Sequence, residues 1–490
     1  MKNRIAEILK RNEIILILFI VFIMVVAVAL NYVLAVEDDL WNFSNIYKMV
    51  NGFKIYRDIN VIVTPLFFYL GEILFKILGS NFLTLKIYNI LIFVILYILI
   101  YLILDEMKIS RRNKIIYVIL IYLLTYNNII AGANYTMLAF VFFLLGVLLI
   151  LKDRPSYWQG IIIFLILMTK QNIGIYYFLA YIAYIILQNK DIKMALKIII
   201  KPVLILLLIS CIYIGYLLLD NNLYNFINMT ILGITEFGSK NFAFDNAIFR
   251  FSLVTIILLF SIWLYKYNLV KLEKEDSKKI KELLCFSVMC IPIAYPIINS
   301  YHTIVASILP IITFIIICDK SFIEQITNKK IFITIKNVFI ILFTVFIELF
   351  CALMSFSYIN KQIKYDYFKV YYGAVITDEL KENVNEIIKY IQDMEKGGKQ
   401  VKIVSYYSNL YMNVLNRNNG IMDLPFYGNM GKDGENKLIN EINKLKNTNV
   451  LVLKDGEDLI QESLKVRNYI KDNYEKIGEI EMFEIYKVGY

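Results

Sequence analysis

The first long apolar run of the chain, Ile14 to Val36, places the strongest constraint on its fold. It holds about 23 nearly uninterrupted apolar residues, and about 20 are enough to cross the hydrocarbon core of a bilayer as a helix. Similar runs recur along the sequence, and 59% of all 490 residues are hydrophobic. In soluble proteins the hydrophobic fraction is about half. The sequence therefore predicts a polytopic α-helical membrane protein.

About eleven apolar segments are predicted to cross the membrane. They lie at 14–36, 84–104, 115–128, 135–151, 157–169, 174–188, 196–219, 248–266, 283–298, 303–318 and 331–357. The first segment follows a charged stretch, so a secretory signal peptide is an alternative, but its length and the missing small-x-small cleavage pattern favour a span. All five cysteines fall within predicted spans, so no disulfide framework or CxxC metal motif is indicated.

Lys and Arg collect in alternate connections of the predicted membrane domain. The N-terminal segment and five connections on its side hold roughly 23 of them, and the intervening loops hold roughly six. Basic loops are retained in the cytoplasm, so the sequence predicts a multi-pass protein of the cell (plasma) membrane, with a cytoplasmic N-terminus and an extracytoplasmic C-terminal domain. The net charge of +10 mostly reflects these loops, and no basic face with stacking aromatics indicates nucleic-acid binding.

Two domains are predicted, a membrane domain over 1–357 and an extracytoplasmic α/β domain over 358–490. Within the first, the outer loop 37–83 is predicted to carry two surface helices, Asp39–Val50 and Pro65–Leu78. In the second, helical and strand-like segments alternate. The predicted helices are Thr377–Met394, Ser408–Leu415, Glu435–Leu445 and Leu459–Tyr474, and the predicted strands are Val401–Ser405, Val450–Leu453 and Ile480–Val488.

Acidic residues begin the outer loop directly after the first predicted span, as Glu37-Asp38-Asp39. Further along the same loop come Gly52, Tyr56-Arg57-Asp58 and Thr64-Pro65-Leu66. Carboxylates at the mouth of a span can solvate the loop, bind a metal ion or act as a general base. Loop solvation, with an Arg57–Asp58 salt bridge, is the structural alternative to a catalytic role.

This spacing resembles the first periplasmic loop of GT-C glycosyltransferases of the protein O-mannosyltransferase and aminoarabinose transferase type, glycosyltransferase family 39. The resemblance covers about residues 10–190, and Asp39 departs from it, since glutamate is common at that place. It implies a GT-C-like catalytic domain that transfers a sugar from a polyprenyl-phosphate donor to an envelope acceptor on the outer face. The acceptor would be a glycopolymer, a lipid or a protein.

Such a transfer needs a base for the acceptor hydroxyl and a cation for the departing phosphate. Asp38 or Asp39 is the candidate base, with Asp58 as a partner. Three residues are candidate ligands of the donor phosphate: Lys170 between two apolar runs, Arg57 in the outer loop, and His302, the single histidine of the chain. The alternatives are a lysine that snorkels to the surface and a histidine with a structural role.

No cofactor is implied with certainty, although Asp38, Asp39 and Asp58 would suit a divalent cation such as Mg²⁺ or Mn²⁺. Besides the enzyme, two other classes of protein remain open. One is a membrane transporter or flippase of lipid-linked glycans, although paired halves with midplane charges are not evident. The other is a non-catalytic scaffold for envelope assembly, whose outer α/β domain binds a partner.

Overall fold

A computed structural model of the chain describes residues 38–322 and 369–489, apart from 131, 190, 241–242, 245–247, 269–272, 296, 375, 377, 406, 424, 426–427 and 455–462. The described residues form two compact units. Unit 1 contains those of Lys86–Cys211 and Ala243–Gln362, and unit 2 those of Val33–Leu85, Ile212–Phe242 and Ile363–Tyr490. Glu37, the predicted spans 14–36 and 331–357, and the predicted domain boundary between 357 and 358 lie outside the described residues.

Helices dominate both units. In chain order they are α1 (Asp38–Val50), α2 (Leu66–Leu78), α3 (Phe82–Glu106), α4 (Arg111–Ile130), α5 (Tyr135–Leu151), α6 (Tyr157–Leu167), α7 (Gln171–Gln188), α8 (Ile192–Leu219), α9 (Leu223–Ile227), α10 (Gly233–Lys240), α11 (Ile248–Asn268), α12 (Lys274–Val288), α13 (Ser300–Phe322), α14 (Asp378–Lys396), α15 (Ser408–Val414), α16 (Gly434–Asn443) and α17 (Leu464–Asn473). The strands are β1 (Ala243–Phe244), β2 (Ile297–Ile298), β3 (Gln400–Ile403), β4 (Thr448–Leu453), β5 (Glu475–Ile480) and β6 (Phe483–Val488). Two coarse features of the predicted fold class are thus confirmed, namely the mostly helical chain and the small C-terminal sheet.

Three helices of the described chain are long and apolar enough to cross a membrane: α3, α8 and the Ser300–Lys320 part of α13. They coincide with the predicted spans 84–104, 196–219 and 303–318. Shorter apolar helices cover Tyr135–Leu151, Tyr157–Leu167, Leu223–Thr235 and Val254–Lys266. By length and composition the described chain is therefore compatible with a membrane protein, and the larger number of predicted crossings stays a prediction.

The predicted span over 283–298 is wrong as a continuous helix. α12 ends at Val288, and the chain then makes a 3-10 turn over Ile291–Ala294 before β2. Pro292 explains the break, because proline has no N–H to donate and its ring clashes with the preceding helical turn. A short non-helical segment of unit 1 therefore leads directly into α13, in whose first turn His302 lies.

α1 is a buried helix of unit 2, and its predicted place along the membrane surface stays a prediction. Ten of its thirteen residues are buried. At its centre the Phe43 ring lies 5.6 Å from the Phe75 ring, 5.5 Å from Phe82 and 5.9 Å from Tyr371, between ring centroids. Aromatic pairs at such distances add to the stabilisation from burial. The outer loop and the C-terminal segment thus share one hydrophobic core within unit 2.

The C-terminal sheet of unit 2 has the strand order β3-β4-β6-β5. β3 pairs with β4 in parallel, β4 with β6 antiparallel, and β5 with β6 antiparallel. Every residue of β4 is buried, as expected of a central strand. The sequence predicted β3, β4 and β6 but missed β5, because its residues are mostly exposed and lack an alternating apolar face.

Two glycine positions allow a close approach of backbones in unit 2. Gly233 begins α10 after a π-helical turn, Asn228–Leu232, and it faces the Gly428–Gly431 turn. A Cβ atom on Gly233 would lie only 2.6 Å from the Gly428 carbonyl oxygen. Gly428 has φ of +84°, which disfavours other residues. The two glycines therefore fix how the 223–240 helices pack against this turn.

Candidate functional site

Unit 1 brings together Lys170 and His302, two of the residues predicted to bind the donor phosphate. The Lys170 Nζ atom lies 3.2 Å from His302 Nε2 and donates to Thr136 Oγ1 at 2.7 Å. It also lies 5.3 Å from the centroid of the Tyr135 ring, within the range of a cation–π contact. Lys170 is half-buried, so its ammonium is held in place by these neighbours and is not simply extended into solvent.

The local sequence explains why each side chain lies at the start of a helix. Lys170 is the residue that precedes α7. Thr136 lies in the first turn of α5, where the Asn134 side chain caps the helix by accepting from the Thr136 backbone N–H at 2.9 Å. His302 lies in the first turn of α13, and Asn299 Oδ1 accepts its backbone N–H at 3.0 Å.

The hydrogen bonds of His302 define its tautomer. Its Nδ1 lies 2.7 Å from the same Asn299 Oδ1, so Nδ1 carries the proton and donates it. Nε2 is then the unprotonated nitrogen, and it accepts from the Lys170 ammonium. This is an assignment from the hydrogen-bond network, with the Asn299 amide oriented so that its oxygen accepts. The pair therefore consists of a charged lysine and a neutral imidazole.

The cluster lies where the N-terminal ends of α5, α7 and α13 meet, helices of 17, 18 and 23 residues. Each helix N-terminus carries a partial positive charge and N–H groups without helical partners. Together with the Lys170 ammonium, this arrangement favours an anion such as a phosphate group. The sequence missed Thr136, although an Asn-x-Thr pattern ahead of an apolar run is a helix-start signal that could have identified it.

Arg57 and Asp58 form an ion pair in the outer loop of unit 2. Arg57 Nε and Nη2 lie 3.2 Å from Asp58 Oδ1 and Oδ2, and the Lys54 backbone N–H donates to Oδ2 at 2.8 Å. Burial raises the pKa of the Asp58 carboxyl, but the hydrogen bonds from Arg57 and Lys54 outweigh it and leave the pKa below its usual value. Asp58 is therefore ionised and a weak base, with a role in holding the loop.

The two remaining acids lie in the first turn of α1. Asp38 is exposed, whereas Asp39 is 4% exposed. A carboxylate is favourable at a helix N-terminus, so both also stabilise α1. In the part of the chain that the structure describes, no group of three or more His, Cys, Asp or Glu side chains is arranged to hold a metal ion. The possible divalent cation at Asp38, Asp39 and Asp58 stays a prediction.

A third charged cluster of unit 2 was not predicted from the sequence. Lys48 of α1 donates to Asp423 and, at 2.8 Å, to Asn409 Oδ1. Asp423 also accepts from the Ser408 hydroxyl and, at 3.2 Å, from the Asn419 backbone N–H. Both charged side chains are buried. Neither Lys48 nor Asp423 is part of a recognisable sequence motif, because the two residues that pair lie in segments far apart.

No protein-family model, no curated protein and no solved structure matches this chain.

Proposed function

We propose that the chain is an integral-membrane glycosyltransferase that moves a sugar from a polyprenyl-phosphate donor to an envelope acceptor on the outer face. The proposal takes the chain as a GT-C-like protein with about eleven crossings, a cytoplasmic N-terminus and an extracytoplasmic C-terminal segment. The spacing of the acidic outer loop supports it. So does the presence of helices of membrane-spanning length.

The observation that carries the proposal is the Lys170 cluster of unit 1. A polyprenyl-phosphate donor reacts by breaking the bond between the anomeric carbon and the phosphate oxygen, and the phosphate leaves with the electron pair. Lys170, together with the ends of α5, α7 and α13, would stabilise the negative charge that develops on this leaving group. His302 would hold the lysine in position through its neutral Nε2 atom.

The acceptor hydroxyl must lose a proton as its oxygen bonds to the anomeric carbon. Asp38 is the best candidate for this base, because it is exposed while Asp39 is buried. Asp58 is engaged by Arg57 and Lys54, so its role in this proposal is to hold the loop and, with Arg57, to orient a substrate.

The test is transfer of a labelled sugar from a polyprenyl-phosphate donor by the full-length protein in proteoliposomes. Lys170→Met should lower transfer about 100-fold, as expected when a group that stabilises transition-state charge is removed, and Lys170→Arg should retain part of it. Lys114→Met is the matched control, since Lys114 is another lysine of unit 1 whose ammonium is held by side chains, those of Asp105 and Tyr101. Equal losses in both Met variants, or none in either, would contradict the proposal.

A non-catalytic scaffold is the second candidate, and the acids of unit 2 favour it. Asp39 is buried and Asp58 is tied into an ion pair, which is how structural carboxylates behave. A scaffold would show no transfer with any lipid-linked donor, yet it would still assemble in the membrane. Robust wild-type transfer that depends on Lys170 excludes this reading.

A further inference from the structure

A narrow polar cavity lies within unit 2, between α1 and the 418–423 segment. It has room for about one water molecule and is partly open. Its walls include Asn45, Lys48, Asn60, Asn409, Gly420 and Asp423. None of these residues belongs to the acid and phosphate sites proposed above.

Two amide groups in the cavity wall lack a partner among the described residues. The Asn45 Nδ2 atom is buried without a hydrogen bond, and Asn45 as a whole is 2% exposed. The Nδ2 atom of Asn60 is buried and unpartnered in the same way. A buried donor without a partner is unfavourable, because it has lost its hydrogen bonds to water. Both residues line the cavity, so an oxygen atom that enters it would have two buried amide donors nearby.

The charges around the cavity select the kind of group that can enter. Lys48 and Asp423 form an ion pair, so their charges offset each other within the wall. A charged ligand group would therefore lose its hydration without gaining a counter-charge, which is unfavourable. A neutral group of the size of water fits best. An alcohol hydroxyl meets this description, because it can accept from the amides and donate to a carboxylate or amide oxygen.

We propose that this cavity is a glycan-binding site that takes in one sugar hydroxyl, while the ring remains at the mouth. There is space beside Gly420, one of the lining residues, where an added Cβ atom would meet nothing within 4 Å. The hydroxyl would displace an ordered water and reproduce its hydrogen bonds, which is the condition for a favourable exchange. The choice of a sugar among neutral hydroxyl compounds rests on the proposed function. The preference for a neutral hydroxyl group is independent of it, because it follows from the residues that line the cavity.

Trp41 also lines the cavity, and it provides a direct reporter. The chain has three tryptophans, so Trp158→Phe together with Trp263→Phe leaves Trp41 as the single tryptophan, whose emission is excited selectively at the red edge of the protein absorption band. The full-length protein with these two changes is titrated with methyl glycosides of several hexoses and pentoses. The titration extends to about 100 mM, because a site with few contacts binds weakly and a millimolar dissociation constant corresponds to only about 4 kcal/mol. We expect at least one of them to change the Trp41 emission in a saturable way.

Asn45→Leu should weaken the apparent affinity about tenfold, the effect of losing one hydrogen bond. Asn42→Leu is the matched control: Asn42 lies on the same helix, is 1% exposed and has both amide atoms without a partner in the described chain, but it does not line the cavity. Asn60→Ala, at the half-buried edge, serves if Asn45→Leu fails to fold. No saturable change with any glycoside, or equal affinity in all variants, overturns the site. Because binding is measured without turnover, a loss of transfer alone would count against the proposed enzyme only.

Discussion

Lys48 and Asp423 lie 375 positions apart in the sequence and form a buried ion pair within unit 2. The pair joins α1 of the outer loop to the C-terminal segment of the same unit. Breaking a buried pair from one side leaves an uncompensated charge, which costs about 3–5 kcal/mol. Lys48 and Asp423 therefore link two distant stretches of the chain more specifically than apolar packing does.

We expect Lys48→Met to destabilise unit 2 by about 3–5 kcal/mol, and Lys48→Met combined with Asp423→Asn to recover part of this loss. Hydrogen exchange of the α1 amides in the full-length protein measures both. Lys54→Met is the control, because its pair with Asp220 is partly exposed and should contribute less than about 1 kcal/mol. Strictly additive single and double variants would show that the two charges are not coupled.

The close approach of Gly233 to Gly428 gives a prediction about packing. Gly233→Ala places a Cβ atom 2.6 Å from the Gly428 carbonyl oxygen, so the helices must shift, and we expect a loss of about 1–3 kcal/mol. Gly215→Ala is the matched change, since Gly215 is also helical and its Cβ would meet nothing within 4 Å. It should be neutral or stabilising by up to about 1 kcal/mol. Thermal unfolding of the two variants separates these outcomes, and equal behaviour would refute the packing account.

The ion pairs of Glu484 in β6 lead us to expect that the sheet of unit 2 loses stability at acidic pH. Burial raises its pKa, but hydrogen bonds from Lys476 at 2.7 Å, Lys471 and Tyr486 outweigh this and lower the pKa to about 2. In an unfolded chain a glutamate titrates near about 4.3. Because the pKa of Glu484 is lower in the folded state than in the unfolded chain, its ionised carboxylate stabilises the fold at pH values above about 4.3. This contribution is lost as the pH falls from about 4.3 to about 2.

The prediction is that β4 and β6 amides lose protection from hydrogen exchange in this pH range. Glu484→Gln should lower their protection at neutral pH and make it less dependent on acid. Glu475→Gln, at an exposed position of β5, should leave the profile of the wild type. A Glu484→Gln protein with the full acid dependence of the wild type would assign the effect to other carboxylates.

Asp38 and Asp58 of the outer loop should have different roles. Asp38→Asn should lower transfer about 100-fold with little change in stability, because Asp38 is exposed and its proposed role is as base. Asp58→Asn should change stability by less than about 1 kcal/mol through its partly exposed pair with Arg57. Transfer kinetics and thermal unfolding of the same preparations test both. Full activity of Asp38→Asn would remove this residue from the proposed chemistry.

The sequence predicted local elements of the fold better than it predicted their contacts. The apolar spacing of Asp39–Val50 located α1 to within one residue, and alternation of helices and strands located most of the C-terminal segment. The burial of α1 could not be predicted, because its apolar face does not specify which distant rings cover it. The Lys48–Asp423 pair was missed for the same reason, since nothing local distinguishes these two residues.

The candidate site shows a similar division. Lys170 and His302 were predicted from their unusual places at the ends of apolar runs, and the structure brings these two together. Arg57 and Asp58 form the loop salt bridge that the sequence analysis gave as an alternative, and their roles in the site stay a prediction. Thr136 was missed because a helix-start threonine is common and becomes informative only beside a lysine from another helix.

The central claim is that Lys170 binds the phosphate of a lipid-linked donor. A density map of the full-length protein with a polyprenyl-phosphate sugar bound tests it most directly. We expect phosphate oxygens within hydrogen-bonding distance of Lys170 Nζ, at the N-terminal ends of α5, α7 and α13. A donor phosphate bound elsewhere, with the Lys170, Thr136 and His302 contacts unchanged, would contradict it.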